Sequence, residues 1–379
     1  MVRWYPATRL LKHLAAPVLC LILASPPAYA QLLIGVSAPL TGFAAPFSIG
    51  IADGAKFAAE TINARGGVNG KKIEVVISDD GCDGAAASAK AERMILVHKV
   101  DALIGFPCGS VALAASAIAA RFDKLMITIA PVAGVTGADR PVLRVIGRDD
   151  QLASLTADFL NVMFQNKRVG ALLSSRTPGF DAVFRSALQS RRIPLAQIDV
   201  IPDLVATLPN WKDAVDVVVA GPGTVPEQSI ASLTAGASVV VPTTIFPDSA
   251  RRVTGDTREL FVIANPSSND FPQAGEVIAR AKSAGYNTDR FFSYSYAAVQ
   301  VFAAATARTP QTSGRALFST VRESGAETII GKLAFDRNGD LLGWRQVVYR
   351  KSDRMLVSYD VCKTDNCAKY EQCPRDCPK

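Results

Sequence analysis

Short apolar runs alternate along the chain with stretches whose apolar residues recur every three or four positions. The runs read as strands buried on both faces, and the periodic stretches as helices with one buried stripe. Residues 32–37 (LLIGVS) are the first strand. In 53–64, Ala55, Ala58, Ala59 and Ile62 share a helical face, and Gly66-Gly67 supplies the stop. Strands follow at 73–78, 100–105 and 125–130, with helices at 84–98 (Met94 and Ile95 inward) and 110–122. This βαβαβαβ order predicts a parallel, doubly wound sheet. Residues 144–150 read as a connection, after which the alternation resumes. Helices are expected at 150–165, 181–190 and 227–235, and strands at 168–173, 214–220 and 238–241. Residues 192–211 read as irregular. Three helices (273–284, 293–307 and 313–324) precede a final hairpin pair, 332–335 with 344–350, near Asn338-Gly339-Asp340. The class is α/β, with two similar halves.

At 379 residues the chain suits two domains. Hydrophobic residues at 49% and charged ones at 20% exclude a disordered chain. The net charge of +7 is concentrated at the start. Arg3, Arg9 and Lys12 precede an apolar run over 14–24, and Ala28-Tyr29-Ala30 supplies an A-x-A site. That pattern is a secretory signal peptide over 1–30, cleaved before Gln31. The apolar run is too short for a membrane anchor. Cys20 lacks the small residue expected before a lipidated cysteine. Removing these thirty residues and their three cations leaves 349 residues at +4. The surplus is scattered, so nucleic acid is not an expected partner. No later apolar stretch is long enough to span a bilayer. His98 is then the sole histidine, which argues against a histidine metal site or a catalytic triad. No metal site, cofactor motif or catalytic residue is expected. Gly221-Pro222-Gly223 is not a dinucleotide fingerprint, because proline interrupts it.

Six cysteines remain, an even number in an exported chain, which points to disulfides. Cys82 and Cys108 each follow a predicted strand at neighbouring places on one sheet. Cys362, Cys367, Cys373 and Cys377 crowd the last eighteen residues without a C-x-x-C pair. Two tail disulfides are expected there, in a stapled C-terminal cap; zinc is the weaker reading.

Several motifs occur in a telling order: Ala38-Pro39-Leu40-Thr41-Gly42, Gly54-Ala55, Ile62 to Gly70 (INARGGVNG), Asp79-Asp80-Gly81-Cys82-Asp83, and Ile104 to Cys108 (IGFPC). Arg144 with Arg148-Asp149-Asp150-Gln151, Tyr296 to Gln300, and Phe335 to Asp340 follow. In order and spacing, over 31 to about 360, these resemble periplasmic branched-chain amino-acid (Leu/Ile/Val-type) binding proteins of ABC transporters. The resemblance implies a type I periplasmic binding fold, in which two Rossmann-like lobes with parallel sheets are joined by three hinge crossings. The expected division is 31–146 with 272–331 for lobe one, 147–271 with 332–361 for lobe two, and a Cys-rich tail over 362–379. It also implies a Cys82–Cys108 disulfide, a periplasmic, non-enzymatic monomer, a small-molecule ligand between the lobes, and an inner-membrane ABC permease as partner. A sensor of the same fold, feeding a signalling or oxidation system, is the alternative.

Carried onto this chain, the ligand-binding positions fall at Phe47, Gly109, Ser110, Thr128, Pro131, Val132, Ala133, Pro178, Gly221 and Thr243. Ser110 also reads as an ordinary helix cap, Thr128 as a structural strand threonine and Phe47 as core. The second lobe departs from the family pattern. Pro178-Gly179 stands where amino-acid binders have Tyr-Gly, Gly221-Pro222-Gly223 where an aromatic is common, and 241–246 (VPTTIF) carries no acid to pair an ammonium. A buried ammonium without a carboxylate is costly, so a standard amino acid is doubtful as ligand. Asp181, near a helix start, is the one acid there that can reach the cleft.

Overall fold

The computed structural model describes Met1 and residues 31–358, except 43, 46–47, 203–204, 206–207, 209–210, 212–213, 227–235, 246–251, 253–258, 310, 312 and 354. The expected signal peptide, Phe47, the helix at 227–235 and the four tail cysteines lie outside the described residues.

The first sheet runs β2-β1-β3-β4-β5, all parallel. Its strands are β1 (Leu32–Ala38), β2 (Ile73–Asp79), β3 (Ala102–Gly105), β4 (Leu125–Thr128) and β5 (Val142–Arg144). Between them lie α1 (Ile49–Ala64), α2 (Gly84–Leu96) and α3 (Gly109–Arg121). After α4 (Asp149–Met163) the pattern repeats with β6 (Val169–Ser174), α5 (Pro178–Ser190), β7 (Leu195–Ile201), β8 (Val217–Ala220), β9 (Ser238–Ile245) and β10 (Leu260–Asn265). The chain then returns to the first sheet with α6 (Gly275–Ser283), α7 (Phe292–Arg308) and α8 (Gly314–Ser324). A small hairpin, β11 (Ala326–Thr328) and β12 (Gly331–Leu333), precedes β13 (Val347–Ser352) and β14 (Met355–Ser358). The second sheet is β14-β13-β10-β9-β8-β6-β7, antiparallel only at β13 and β14.

Three crossings therefore join the two lobes, after β5, after β10 and after β12. The inner strands of each sheet have apolar cores on both faces, as parallel sheets require. On one face of the first sheet, Ile34, Val36, Ile104 and Ile127 pack with Ile51, Tyr294, Val299 and Phe302 of α1 and α7. On the other face, Leu103 and Met126 meet Met94, Val111 and Ala115. Leu333, Phe335 and Leu341, near the third crossing, join the first-sheet core. In the second sheet, Ala171, Val219 and Ile263 face Leu152, Phe159, Phe180 and Phe184 of α4 and α5.

The structure differs from the periodic reading at four places. β5 is only three residues and ends in a buried arginine, so its apolar signal is too short to see. β7 is an edge strand open on both faces, with a burial pattern of neither period two nor a solid run, which is why 192–211 reads as irregular. β10 is a solid buried run (LFVIAN) whose six-residue length is that of a buried strand. The hairpin also pairs differently. β12 pairs with β11 across a two-residue turn, whereas β13 pairs with β10 and β14. The local partner closes a far shorter loop than the expected one.

α1 begins four residues earlier than its apolar face indicates, because Ile49 is exposed and Gly50 carries no hydrophobic signal; Gly50 and Gly54 both lie in the helix. Both serve close packing on α7. A Cβ on Gly54 would lie 2.3 Å from the Phe292 carbonyl oxygen. We expect Gly54→Ala to push α1 off α7 and cost about 1–3 kcal/mol despite alanine's better helix propensity, measured by denaturant unfolding. An unchanged midpoint would show that the two helices separate freely.

Candidate functional site

In each lobe the strand order reverses beside the first strand, between β1 and β3 and between β6 and β8. Open α/β sheets bind ligands at the carboxyl ends of the strands at such switch points. Those ends carry most of the expected site residues.

In the first lobe two aspartates build the loops. Asp79 accepts from Leu40 N (2.8 Å), Thr41 Oγ1 (2.5 Å) and Gly81 N (2.9 Å). Burial pushes its pKa up, but these hydrogen bonds outweigh burial and hold it below the ordinary value. Asp80 is buried and accepts from Ser37 Oγ and Cys82 N, both at 2.8 Å. There burial prevails and the pKa is raised, with the two hydrogen bonds opposing. Cys82, at φ 60°, forms the disulfide with Cys108 across a Cα–Cα distance of 5.6 Å. The bond thus ties the loop after β2 to the start of α3.

α3 starts at Gly109 and its cap residue is Cys108, so Ser110 is the second residue of the helix rather than its cap. Ser110 is exposed. Gly109 is brought against Val132, whose side chain lies 3.2 Å from where a Cβ would stand. Gly109, Ser110, Pro131, Val132 and Ala133 therefore gather at the ends of β3 and β4, beside the free N–H groups of the α3 N-terminus. Thr128 is placed otherwise. It is fully buried, donates to Phe106 O (3.3 Å) and accepts from Ala130 N (3.0 Å), so its hydroxyl shapes the loop.

In the second lobe Gly221 is buried against Leu172 O and Phe180. Thr177 Oγ1 donates to Pro222 O at 3.1 Å, and Thr224 Oγ1 to Gly221 O at 2.7 Å. These contacts bring Pro178, the first residue of α5, and Gly221 to the ends of β6 and β8. Thr243 is buried near the end of β9. Asp181 lies within α5 and its carboxylate pairs with Arg185 one turn on.

The crossings carry polar groups that motif reading placed only as landmarks. Arg144 is fully buried. Its Nε donates to Asp340 Oδ1 at 2.8 Å, one Nη to Thr136 Oγ1 at 3.2 Å, and the other to the Ala130 carbonyl. Arg148 donates to Asp340 Oδ2 at 2.9 Å and pairs with Asp150 through both ends of its fork. Burial pushes Asp340 up, yet Arg144, Arg148 and Thr136 outweigh it and hold the carboxyl below its ordinary value. Asn265 connects all three crossings. Its Oδ1 accepts from Gly147 N (3.0 Å) and Trp344 Nε1 (2.7 Å), and its Nδ2 donates to Thr244 O (2.7 Å). Gly147 is required there, since a Cβ would fall 2.4 Å from Asn265 Oδ1.

Asp149 opens α4, where the helix dipole favours a charge. Burial nevertheless pushes its pKa up to about 6, with Arg144 opposing, Asp150 adding to the rise and a hydrogen bond with Thr244 lowering it. Its charged form is thus disfavoured in the fold. The stability contribution is complete below the unfolded carboxyl value and is lost as pH rises through about 6. We expect Asp149→Asn to gain about 1–3 kcal/mol relative to the parent between pH 4 and pH 7, read from paired urea titrations. A flat difference would show that Asp149 ionises as it does in water.

Arg144→Met leaves Asp340 buried with only Arg148 and Thr136 as side-chain partners. The expected loss is about 3–5 kcal/mol, and adding Asp340→Asn restores part of it. Strict additivity in the double-mutant cycle would mean that the pair is not coupled.

Residues 31–343 match the family model described as periplasmic binding protein. A Leu/Ile/Val-binding protein of Rhizobium johnstonii, BraC3, is 28% identical over 375 residues, covering 92% of this chain and 99% of that protein. An amino acid binding protein of Pseudomonas aeruginosa is 26% identical over 350 residues, covering 86% and 92%. Among solved structures, a solute binding protein of an ABC transporter from Rhodopseudomonas palustris BisB5, in complex with 3,4-dihydroxybenzoic acid, superposes with a TM-score of 0.71 at 20% identity, over 87% of this chain and 96% of that one. An ABC transporter substrate-binding protein from Desulfitobacterium hafniense, in complex with Leu, gives 0.69 at 19%, over 87% and 100%. At these identities the two structures speak to the fold alone.

Proposed function

The chain belongs to the periplasmic binding protein family, and from that premise we propose that it is a non-enzymatic solute-binding protein serving an ABC importer. Residues 1–30 direct export, and the mature protein works as a monomer in the periplasm. The ligand sits between the carboxyl ends of the two sheets, against Gly109, Ser110, Pro131, Val132 and Ala133 on one side and Pro178, Gly221 and Thr243 on the other. Phe47 belongs to the first group. The lobes divide as 31–146 with 272–331 and 147–271 with 332–361.

We infer that the ligand is a small organic acid without an ammonium group. The observation carrying this is the engagement of the carboxylates. Asp181 is paired with Arg185, and Asp149 is held by Thr244 with Arg144 close by. Asp79 and Asp80 are engaged by loop N–H and hydroxyl groups. A zwitterionic amino acid would have to break one of these ties to place its ammonium. A carboxylate needs only the N–H groups of α3 and nearby hydroxyls. Relatives of the fold occur with both ligand types: 3,4-dihydroxybenzoic acid and benzoate in two, leucine in another.

Thermal unfolding of the exported chain tests the reading. A ligand at 100 times its dissociation constant stabilises by about 2.7 kcal/mol, a midpoint shift of several degrees. We expect that shift with benzoate, hydroxybenzoates or a short aliphatic acid, and none with leucine, isoleucine or valine. A shift with the amino acids alone would overturn the organic-acid assignment.

A further inference from the structure

On the flank of the first lobe, a cavity of about 230 Å³ lies between α8, the loop before β5 and the turn at Asp336–Asp340. Its lining contains four arginines, Arg140, Arg315, Arg322 and Arg337, and no acid. Arg315, Phe318, Ser319 and Arg322 fall at i, i+3, i+4 and i+7 along α8, so they share one helical face. Phe318 is nearly buried and joins the first-lobe core. Arg140 and Arg337 come from outside α8, so three separate segments bring their cations to one cavity.

Few of these charges are neutralised. Arg140 donates to Ser116 Oγ (3.1 Å) and Gly134 O (2.9 Å), which positions it without cancelling its charge. Its nearest carboxylate, Asp139, is 3.8 Å away and largely exposed. Arg315 lies 3.9 Å from Asp123 and reaches the Asp139 carbonyl at 3.5 Å. Among the described residues, the side chains of Arg322 and Arg337 have neither a hydrogen bond nor an ion pair. Cations gathered in this way repel one another, and a bound anion removes the repulsion. Guanidinium forks match multi-oxygen anions in a bidentate manner. Four forks offer more N–H donors than a single carboxylate has lone pairs, which favours a tetrahedral dianion.

We propose that this cavity is a second ligand site, separate from the cleft, that binds a phosphate-class oxyanion, either free phosphate or the headgroup of a phosphomonoester lipid. It rests on no assumption about the cleft ligand. The test is a low-salt calorimetric titration of the exported chain with inorganic phosphate. We expect one saturable site, weakened at least about tenfold in R322A/R337A. Because neither arginine has a partner to lose, the phosphate-free thermal midpoint of that variant should hold or rise, which separates loss of binding from loss of fold. R192A, remote from the cavity, should bind as the parent does. Absence of saturable phosphate uptake by the parent would overturn the proposal, as would uptake unchanged in R322A/R337A or acetate competing as well as phosphate. Sedimentation with vesicles of phosphatidic acid in phosphatidylcholine distinguishes the sources. Vesicle uptake that free phosphate displaces assigns the headgroup, and phosphate binding without vesicle uptake assigns the free ion.

Discussion

Three strands of chain pass between the lobes, and Asp340 holds two of them together. It sits on the third crossing and accepts from Arg144 and Arg148 on the first. With Arg144 fully buried, neither charge has water as a substitute partner. Asn265 on the second crossing completes the joint by bonding Gly147 and Trp344. Each sheet has its own cores on its own faces, so relative movement of the lobes must be absorbed near these residues. Directional polar ties suit such a place better than an apolar plug. They specify one arrangement without adding a hydrophobic surface that would weld the lobes into a single core.

The same joint explains what sequence reading shows and what it hides. Alternating runs such as 32–37 and 100–105 announce a parallel sheet because strands buried on both faces need solid apolar runs. β5 breaks that rule, since its third residue is Arg144, a charge whose partner lies 196 residues later. No local pattern records a partner so distant. β7 fails for the opposite reason, being an edge open on both faces and so carrying no periodic burial. Asn338-Gly339-Asp340 is visible as a turn, but its service to Arg144 is not, because the turn only becomes a hinge element once β5 lies beside it. Within the expected site, the small residues around Gly109 and Pro131 converge, whereas Thr128 turns inward to its own loop. A hydroxyl at a strand end has the same sequence signature whether it faces ligand or backbone.

The proposed ligand class rests on charge accounting more than on shape. The walls proposed for the cleft are glycine, proline, threonine and small apolar residues, which admit many outlines. An ammonium group, by contrast, demands a carboxylate at short range in a site shielded from water. The carboxylates near the strand ends are already committed: Asp79 and Asp80 to backbone amides, Asp149 to the hinge, Asp181 to Arg185. The ties of Asp79, Asp80 and Asp181 each lie within one lobe, so they do not depend on how far the lobes are closed.

The flank of the first lobe inverts this logic. Near the strand ends Asp79, Asp80, Asp149 and Asp181 are engaged; around α8 four arginines line one cavity, and the side chains of two of them lack partners among the described residues. A surface selected only for solubility would intersperse acids among arginines gathered from three segments on one cavity. Here the nearest acids, Asp123 and Asp139, stand almost 4 Å off and lean toward solvent. An arrangement that gives up stability in the free protein is one that a bound anion would stabilise in return. α8 packs on the first sheet, and its Phe318 also meets Gly339 in the turn of the third crossing, so an anion on the flank lies beside the joint that both lobes share.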